Sequence, residues 1–439
     1  MAPQPVKEHN NEQQGTTQQH VLSIPLEDQP TERGPYSHER WLIGKVLRMA
    51  GSPPVAFELW NGERVLPDDH AQSLFTIRLS DHKALYQLAA NPNLAFGDLY
   101  SAGRLHVDGD LPDLLTTLYR SVHQARKAWP RWLEALWRNH APRATGLDEA
   151  KENIHHHYDL GNEFYQLWLD SAEQQYTCAY FETPDLTLEQ AQLAKLEHVC
   201  RKLNLQPGQT VVEAGCGWGG LARYMASHYG VKVKAYNISR EQVAYARQEA
   251  QRRGLNHLVE YVEDDYRNIT GQYDAFVSVG MLEHVGVENY PVLAEVIKRS
   301  LKPDGLALLH SIGRNRPTLT NAWIEKRIFP GAYPPGISEF ISICEQGDFS
   351  VLDVENLRLH YARTLEHWMQ RFEAHADDVT RLYDEHFTRA WRMYLAGSIA
   401  AFRASSLQLF QVVFTHEDNN HIPQSRRHLY ASPAAPEAP

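Results

Sequence analysis

The chain has 439 residues, 43% of them hydrophobic, and a formal net charge of -11 at pH 7. This length allows two or three domains with a large buried core, and the acidic balance argues against general nucleic-acid binding, which depends on attraction to phosphates. The four cysteines are scattered, which predicts reduced thiols, no disulfide framework and no metal site. Without a signal-peptide pattern or an apolar run of about 18 residues, the chain is expected to be cytoplasmic and to meet a membrane only from its surface.

The first part of the chain predicts a tail followed by a small α+β domain. Residues 1–36 lack apolar periodicity and are predicted to be a disordered tail. Residues 37–143 are predicted to form an N-terminal domain associated with lipid or membrane. Within it, apolar runs at 55–60 and 74–79 predict strands, and Asn61-Gly62 between them predicts a hairpin turn.

A basic segment rich in tryptophan closes this domain. Its apolar residues have a helical period over 114–136, and residues 144–152 are predicted to be a linker. Cations and tryptophans on one amphipathic segment suit the face of an anionic bilayer, at roughly 1 kcal/mol per cation. A packed interdomain helix with a solvated charged face is the alternative. Six cations stand against the single acid Glu134, with three tryptophans among them: Arg120, Arg126, Lys127, Arg131, Arg138 and Arg143, with Trp129, Trp132 and Trp137.

Residues 211–220 carry the most informative motif of the chain. A β-branched run leads through Glu213 into a turn containing four glycines, and an apolar-periodic segment follows at 221–226. This order predicts a strand, a tight turn and a helix start whose free amides face a ligand. The spacing of Gly215, Gly217 and Gly220 also satisfies the dinucleotide fingerprint. Glu213 favours the ammonium of S-adenosylmethionine, because a carboxylate there would repel a pyrophosphate.

After this turn the chain alternates strands and helices, which is typical of a doubly wound parallel sheet. Strands are predicted at 231–236, 258–262, 274–279 and 305–311, and helices at 239–253 and 290–300. Ligands of such sheets lie beyond the carboxyl ends of the strands, where Glu213, Asn237, 264–267, 280–284 and 310–313 converge. We therefore expect one Rossmann-like α/β domain over 153–430, followed by a disordered C-terminus at 431–439.

Several further motifs occur in a fixed order. They are His157 to Asn162, Gln175 to Phe181, Gly215 to Gly220, Ser278 to Gly286, Leu309 to Gly313, Trp323 to Gly331 and Phe402 to Phe414. In these motifs the chain resembles the cyclopropane fatty acid synthase family, which includes the mycolic acid cyclopropane synthases. The resemblance covers about residues 153–415 and is looser before them. It implies a class I methyltransferase fold that uses S-adenosylmethionine.

The resemblance also implies a reaction. The family transfers the methyl group of S-adenosylmethionine to a cis double bond of a phospholipid acyl chain, and proton loss then closes a cyclopropane ring. An alkene is a poor nucleophile, so the site must align it with the methyl group and exclude water in an apolar, aromatic channel. The base implied by the family is a bound bicarbonate. By motif, its holders would be Cys178, Glu283, His310, the backbone of Ile312, and Tyr361.

Each of these positions also has a structural interpretation. Glu283 could form a salt bridge or a helix cap, His310 could be a satisfied core histidine, and Cys178 could be a small buried hydrophobe. His360 is a rival to Tyr361 because it is adjacent in the sequence.

Ten residues are implied as contacts of S-adenosylmethionine, and no metal is expected. The contacts are Tyr176 and Thr177 at the methionine end, Glu213 at the ammonium, Gly215 and Gly217 beneath the cofactor, Asn237 and Gln242 at the ribose, and Asp265, Tyr266 and Arg267 near the adenine. The run at 155–157 consists of three histidines. Three adjacent side chains cannot share one helical face, so the run does not indicate a metal site.

Other functions remain open at this point. Proton loss from a neighbouring carbon would give a methylene or methyl-branched acyl chain instead of a ring, and a partner reductase could then saturate it. A lipid-binding protein with a degenerate site would be expected to lack Glu283 or the glycines, which are present. A nicotinamide dehydrogenase is disfavoured because no histidine and carboxylate pair is evident on a second domain. The expected partner is an unsaturated phospholipid at the inner face of the membrane; a homodimer is compatible with the sequence, which does not fix the oligomeric state.

Overall fold

The computed structural model of the chain describes residues 36–67, 72–127 and 160–430. The predicted linker, the C-terminal tail, the tryptophans of the basic segment and nearly all of the predicted N-terminal tail lie outside these residues. Within the described ranges, no helix is both long enough and apolar enough to cross a membrane.

The N-terminal part contains a four-stranded sheet with the order β2-β1-β3-β4. Its elements are α1 (Ser37–Met49), β1 (Val55–Glu58), β2 (Arg64–Val65), β3 (Phe75–Leu79), α2 (His82–Ala90), α3 (Pro92–Ser101), β4 (Leu105–Asp108) and α4 (Leu111–Lys127). The predicted α+β character is therefore present.

The predicted hairpin turn is present, and its second strand is a short one that the sequence did not indicate. The Asn61-Gly62 turn joins β1 to the short β2, which is antiparallel to it, whereas β3 lies parallel to β1. A two-residue turn can reach only the chain that immediately follows it. The connection at 59–74 is long enough to bring β3 back in the parallel direction.

The C-terminal part is built around a seven-stranded sheet. Its elements are α5 (Asn162–Gln166), α6 (Leu188–Lys202), β5 (Thr210–Ala214), α7 (Gly220–Tyr229), β6 (Lys232–Asn237), α8 (Arg240–Arg252), β7 (Val259–Glu263), β8 (Tyr273–Val279), α9 (Tyr290–Ser300), β9 (Leu301–Gly313), α10 (Ile337–Gln346), β10 (Phe349–Asn356), α11 (Arg358–Ala374), α12 (Ala376–Leu382), α13 (Glu385–Arg403), β11 (Gln408–His416) and α14 (Arg427–Tyr430). The predicted strand at 305–311 is longer in the structure, where it forms β9.

The strands are ordered β10-β11-β9-β8-β5-β6-β7, so the topological switch point, where the strand order changes direction, lies between β5 and β8. Strands β5 to β9 are mutually parallel, and β11 is antiparallel to both of its neighbours. From β5 the chain passes to β6 on one side and later returns to β8 on the other. This arrangement opens a crevice at the carboxyl ends of β5 and β8, where ligands of doubly wound sheets bind.

The two parts share one hydrophobic cluster. A Cβ on Gly97 of α3 would lie 2.5 Å from the indole ring of Trp323, so only glycine allows this approach. Arg327 forms an ion pair with Asp98 at 3.0 Å across the same contact. The N-terminal part is thus packed directly against residues that follow β9.

Candidate active site

A cleft lies at the carboxyl ends of β5, β6 and β8. Its empty space of about 1090 Å³ includes a part that is open to solvent. All ten residues predicted to contact S-adenosylmethionine line this cleft. Met281 and His284, from the turn after β8, also line it.

Two glycines explain the shape of the turn after β5. Gly215 has a φ of +81°, and a Cβ there would lie 2.9 Å from Cβ of Met281. Gly217 has a φ of +52°, and a Cβ there would point into open space. Gly215 therefore allows the turn to pack against the segment after β8, whereas Gly217 leaves the backbone accessible to a ligand.

Glu213 places a buried carboxylate in the lining of the cleft. Burial raises its pKa to about 7, although the charges of Lys195 and Arg223 act in the opposite direction. Its Oε2 atom is buried and has no hydrogen-bond partner among the described residues. A buried carboxylate oxygen left in this state calls for a donor. The ammonium of S-adenosylmethionine is such a donor, so the residue fits its predicted role.

The predicted ribose and adenine residues are held by hydrogen bonds at the ends of β6 and β7. Asn237 donates from Nδ2 to Oε1 of Gln242 at 2.8 Å and to the carbonyl of Gly217 at 3.2 Å. Asp265 accepts from the backbone N–H of Arg267 at 2.9 Å, which caps a single helical turn. The polar groups at this end of the cleft are therefore fixed by the fold.

An aromatic cluster continues from the cleft into the core. The ring centroid of Tyr176 lies 5.4 Å from Tyr165, 5.2 Å from Trp168 and 5.3 Å from Trp368. The hydroxyl of Tyr176 is hydrogen-bonded to that of Tyr394 at 2.9 Å. Tyr176 thus joins the lining of the cleft to an aromatic core.

The five residues implied as bicarbonate holders lie outside the cleft lining, in and around β9. Glu283 accepts from the backbone N–H of Ile312 at 2.6 Å, and burial raises the pKa of Glu283 to about 7. Its second oxygen, Oε2, is buried without a hydrogen-bond partner among the described residues. Among the ion pairs of the described residues, none includes Glu283, so the salt-bridge alternative is not supported. The bond from Ile312 shows instead that the Glu283 carboxylate anchors the backbone of β9.

His310 is buried in β9 and held by β11. Gln411 donates from Nε2 to Nδ1 of His310 at 2.9 Å, so the ring proton of a neutral imidazole is on Nε2. Burial lowers the pKa of His310 well below its usual value, which keeps the ring neutral. Within the described ranges, Nε2 of His310 is buried and has no partner.

Backbone contacts connect Cys178 and Tyr361 to the same region. The carbonyl of Leu357 accepts from the Cys178 thiol at 4.0 Å and from the Tyr361 N–H at 3.2 Å. Leu357 in turn donates to the carbonyl of Leu409 at 2.8 Å, and Leu409 pairs with Ile312 in the sheet. Burial raises the pKa of the Cys178 thiol, so the thiol is neutral. The structure therefore brings Cys178, Tyr361 and Ile312 into one connected network.

His360, the rival of Tyr361, contacts a different segment. Its Nδ1 accepts from the backbone N–H of Phe181 at 3.0 Å, and its ring stacks on Tyr180 with the centroids 4.9 Å apart. Tyr361 instead packs against Phe402 at 4.7 Å. His360 thus supports the backbone next to Cys178.

Two polar residues beside the site were not predicted. Lys195 is fully buried in α6 and donates to side chains of the cleft lining, and Gln411 orients His310. Both had a signal in the sequence, because each interrupts an apolar pattern. Lys195 follows Leu188 and Ala191 on the apolar face of its helix, and Gln411 stands within a strand that is otherwise mostly apolar.

Comparison with known proteins identifies the family of the chain. Residues 146–412 match the family model for mycolic acid cyclopropane synthetase, and residues 42–127 match a domain of unknown function, DUF7884. A probable fatty acid methyltransferase of Pseudomonas putida is 35% identical over 394 residues, which cover 86% of this chain and 96% of that protein. The cyclopropane-fatty-acyl-phospholipid synthase of Escherichia coli K12 is 42% identical over 271 residues, which cover 62% of this chain and 69% of that protein.

A solved structure shows the same fold with a cofactor product bound. The mycolic acid cyclopropane synthase CmaA1, complexed with SAH and CTAB, is 31% identical to this chain with a TM-score of 0.57, over 60% of this chain and 97% of that one. The predicted class I methyltransferase fold is confirmed. Since the family model spans more than half of the sequence, the chain belongs to the mycolic acid cyclopropane synthetase family and is a lipid methyltransferase that uses S-adenosylmethionine.

Proposed function

We propose that this methyltransferase acts on a cis double bond in a phospholipid acyl chain and closes a cyclopropane ring. Two buried atoms support this proposal, because Oε2 of Glu283 and Nε2 of His310 have no hydrogen-bond partner among the residues that the structure describes. Both lie just behind the cleft. Glu283 adjoins Met281 and His284 of the lining, and the carbonyl of His310 accepts from the N–H of Gly280, also in the lining, at 2.8 Å.

A bicarbonate ion fits these residues. The Nε2–H of His310 can donate to an oxyanion, and a Glu283 carboxylate can accept from the hydroxyl of bicarbonate. The Cys178 thiol would have to turn from the backbone carbonyls that accept from it before it could donate to the same ion. Ile312 and Tyr361 would complete the group. When bound, S-adenosylmethionine supplies the methyl group for the new carbon–carbon bond, and bicarbonate supplies a base for the proton lost from that methyl group as the ring closes.

The residues of the chain prepare the cleft for a cationic reaction. Glu213 supplies negative charge near the methionine end. Burial lowers the pKa of His284 to about 4, so this ring is neutral near pH 7 and adds no positive charge beside the sulfonium. The aromatic wall at Tyr176 excludes water, which would otherwise trap the cation.

We also propose that the enzyme reaches its substrate at the inner, cytoplasmic face of the membrane. The basic segment supports this through its charge, although only residues up to 127 of it are described. The exposed large apolar side chains of the N-terminal part include Trp41, at 60%, and Leu74, at 73%. Apolar side chains of this kind could enter a lipid surface together with the cations.

One alternative product has specific support. The Pseudomonas putida relative, a probable fatty acid methyltransferase, matches this chain over 96% of the relative's own length. A methylene or methyl-branched chain would result if the proton left from a neighbouring carbon, and a reductase partner would then be needed for saturation. The two proposals share the cleft and differ in where the base acts.

The test uses the purified full chain with S-adenosylmethionine and vesicles of a cis-monounsaturated phosphatidylglycerol. Vesicles of the saturated lipid and the free monounsaturated fatty acid serve as controls. Mass spectrometry should show the mass of one added methylene only in the unsaturated phospholipid. Product on the free acid alone would contradict the phospholipid assignment. In buffer freed of carbon dioxide the rate should fall, and added bicarbonate should restore it; an unchanged rate would contradict the bicarbonate role.

A further inference from the structure

Lys195 is a charged residue in a position that ordinarily holds an apolar one. It lies on the face of α6 that packs into the core, and its exposed surface is 0%. Burial of an ammonium group costs several kcal/mol unless partners compensate. The arrangement of these partners therefore indicates what the residue does.

The ammonium of Lys195 holds the segment that closes one side of the cleft. Its Nζ donates to Oγ1 of Thr177 at 2.8 Å and to Oε1 of Gln175. Thr177 and Gln175 both line the cleft and flank Tyr176, which is predicted to contact the methionine end of the cofactor. The amide of Gln175 reaches the start of α7, where a Cβ on Gly220 would overlap it.

Two further contacts fix the backbone of this segment. The N–H of Gln175 donates to Asp170 at 2.7 Å, and Gln192 donates to the carbonyl of Thr177 at 2.8 Å. The side chain of Gln175 is held from two sides, because its Nε2 also donates to the carbonyl of Glu173 at 3.2 Å. The hydroxyl of Thr177 is oriented by Lys195.

Lys195 also acts on Glu213 by charge. Among the ion pairs of the described residues, none joins Nζ of Lys195 to a carboxylate within 4.0 Å. Its charge nevertheless favours the ionised form of Glu213, as does that of Arg223 from α7. Burial lowers the pKa of Lys195 to about 8, and Asp170 and Glu213 oppose this change. The other titratable groups near Glu213 are the neutral side chains of Cys200, Cys216 and Tyr261.

We propose that Lys195 is a positioning residue for S-adenosylmethionine: its ammonium holds the side chains of Gln175 and Thr177 at the wall of the cleft, on either side of Tyr176. This role rests on the methyltransferase cofactor and not on which lipid product forms, so binding measurements test it separately from product analysis.

The first test is Lys195→Met, which keeps the length of the side chain and removes its charge. At pH 7, where the Lys195 ammonium is largely retained, we expect the Kd for S-adenosylmethionine, measured by calorimetry, to rise at least tenfold, with a larger effect on KM than on kcat. Because the loss of a positive charge raises the pKa of Glu213, the pH below which affinity falls should move upward from about 7. A purely structural role would not move this midpoint.

Lys202→Met is the matched control, since Lys202 is also buried in α6 but pairs with Glu355 at 2.6 Å. It should lower Tm without moving the pH midpoint of binding. Unchanged affinity and midpoint in Lys195→Met, or equal shifts in both variants, would overturn the proposal.

A second pair of variants applies if Lys195→Met does not fold. Thr177→Val removes one acceptor of Lys195 at nearly constant volume, whereas Thr177→Ser keeps the hydroxyl. We expect weaker cofactor binding in Thr177→Val, by about threefold or more, and near-normal binding in Thr177→Ser. Normal binding in Thr177→Val would overturn the proposal.

Discussion

Replacing Glu283 by glutamine should stabilise the protein while it removes the activity. The Glu283 side chain is buried, and burial raises its pKa from 4.5 to about 7. One pKa unit corresponds to about 1.4 kcal/mol, so the ionised carboxylate costs the folded state roughly 3 kcal/mol. Glutamine is neutral at every pH, and its Oε1 can still accept from the N–H of Ile312.

The pH dependence of this gain has a definite sign. Below the ordinary value of 4.5 the carboxyl is protonated in both the folded and the unfolded chain, so it contributes no difference. Between that value and about 7 the unfolded chain loses its proton first, and the penalty grows as the pH rises. Above about 7 the full penalty is present. Glu283→Gln should therefore raise Tm by several degrees at pH 8 and have little effect near pH 5.

Activity and cofactor affinity are measured on the same variant. We expect the release of S-adenosylhomocysteine to fall at least a hundredfold, with the Kd for S-adenosylmethionine changed less than threefold, because Glu283 lies outside the cleft lining. Glu182→Gln, at an exposed position, is the control and should change neither quantity. The reasoning is refuted if the gain in Tm does not grow with pH, or if cofactor affinity falls in parallel with activity.

Two further predictions concern the cleft and the membrane. Gly217→Ala should weaken the binding of S-adenosylmethionine tenfold or more. Gly208 also has a positive φ and open space around its Cβ position but lies outside the cleft, so Gly208→Ala should only lower stability. Calorimetry measures the binding and thermal unfolding measures the stability; an equal loss of binding in both variants would contradict the cleft assignment. Charge reversal at Arg126, Lys127 and Arg131 should lower activity on anionic vesicles, and less so at high salt, where the attraction is already screened. A loss that does not depend on salt would favour the interdomain-helix interpretation.

The cofactor cleft could be predicted because its residues are local in sequence. Glu213 and the glycines follow β5 directly, and Asn237 ends β6. In a parallel sheet the carboxyl ends of neighbouring strands meet at one edge, so residues at strand ends converge whatever the remaining packing is.

The contacts that hold His310 and Thr177 behind the cleft could not be predicted in this way, since they join segments that are distant in the sequence. Gln411 reaches His310 only because β11 lies beside β9, and the sequence pattern did not indicate that pairing. Lys195 meets Thr177 through the packing of α6. The parallel pairing of β1 with β3 was missed for a similar reason, because turn residues specify only the nearest connection.

The central claim is that the double bond of a phospholipid acyl chain receives the methyl group and becomes a ring. Proton NMR of the purified lipid product tests this most directly, because ring and branched alkene have the same mass. We expect cyclopropane protons upfield of the chain methyl signal and the loss of vinyl protons. Persistent vinyl protons in a product that has gained one methylene would contradict ring closure and establish the branching reaction.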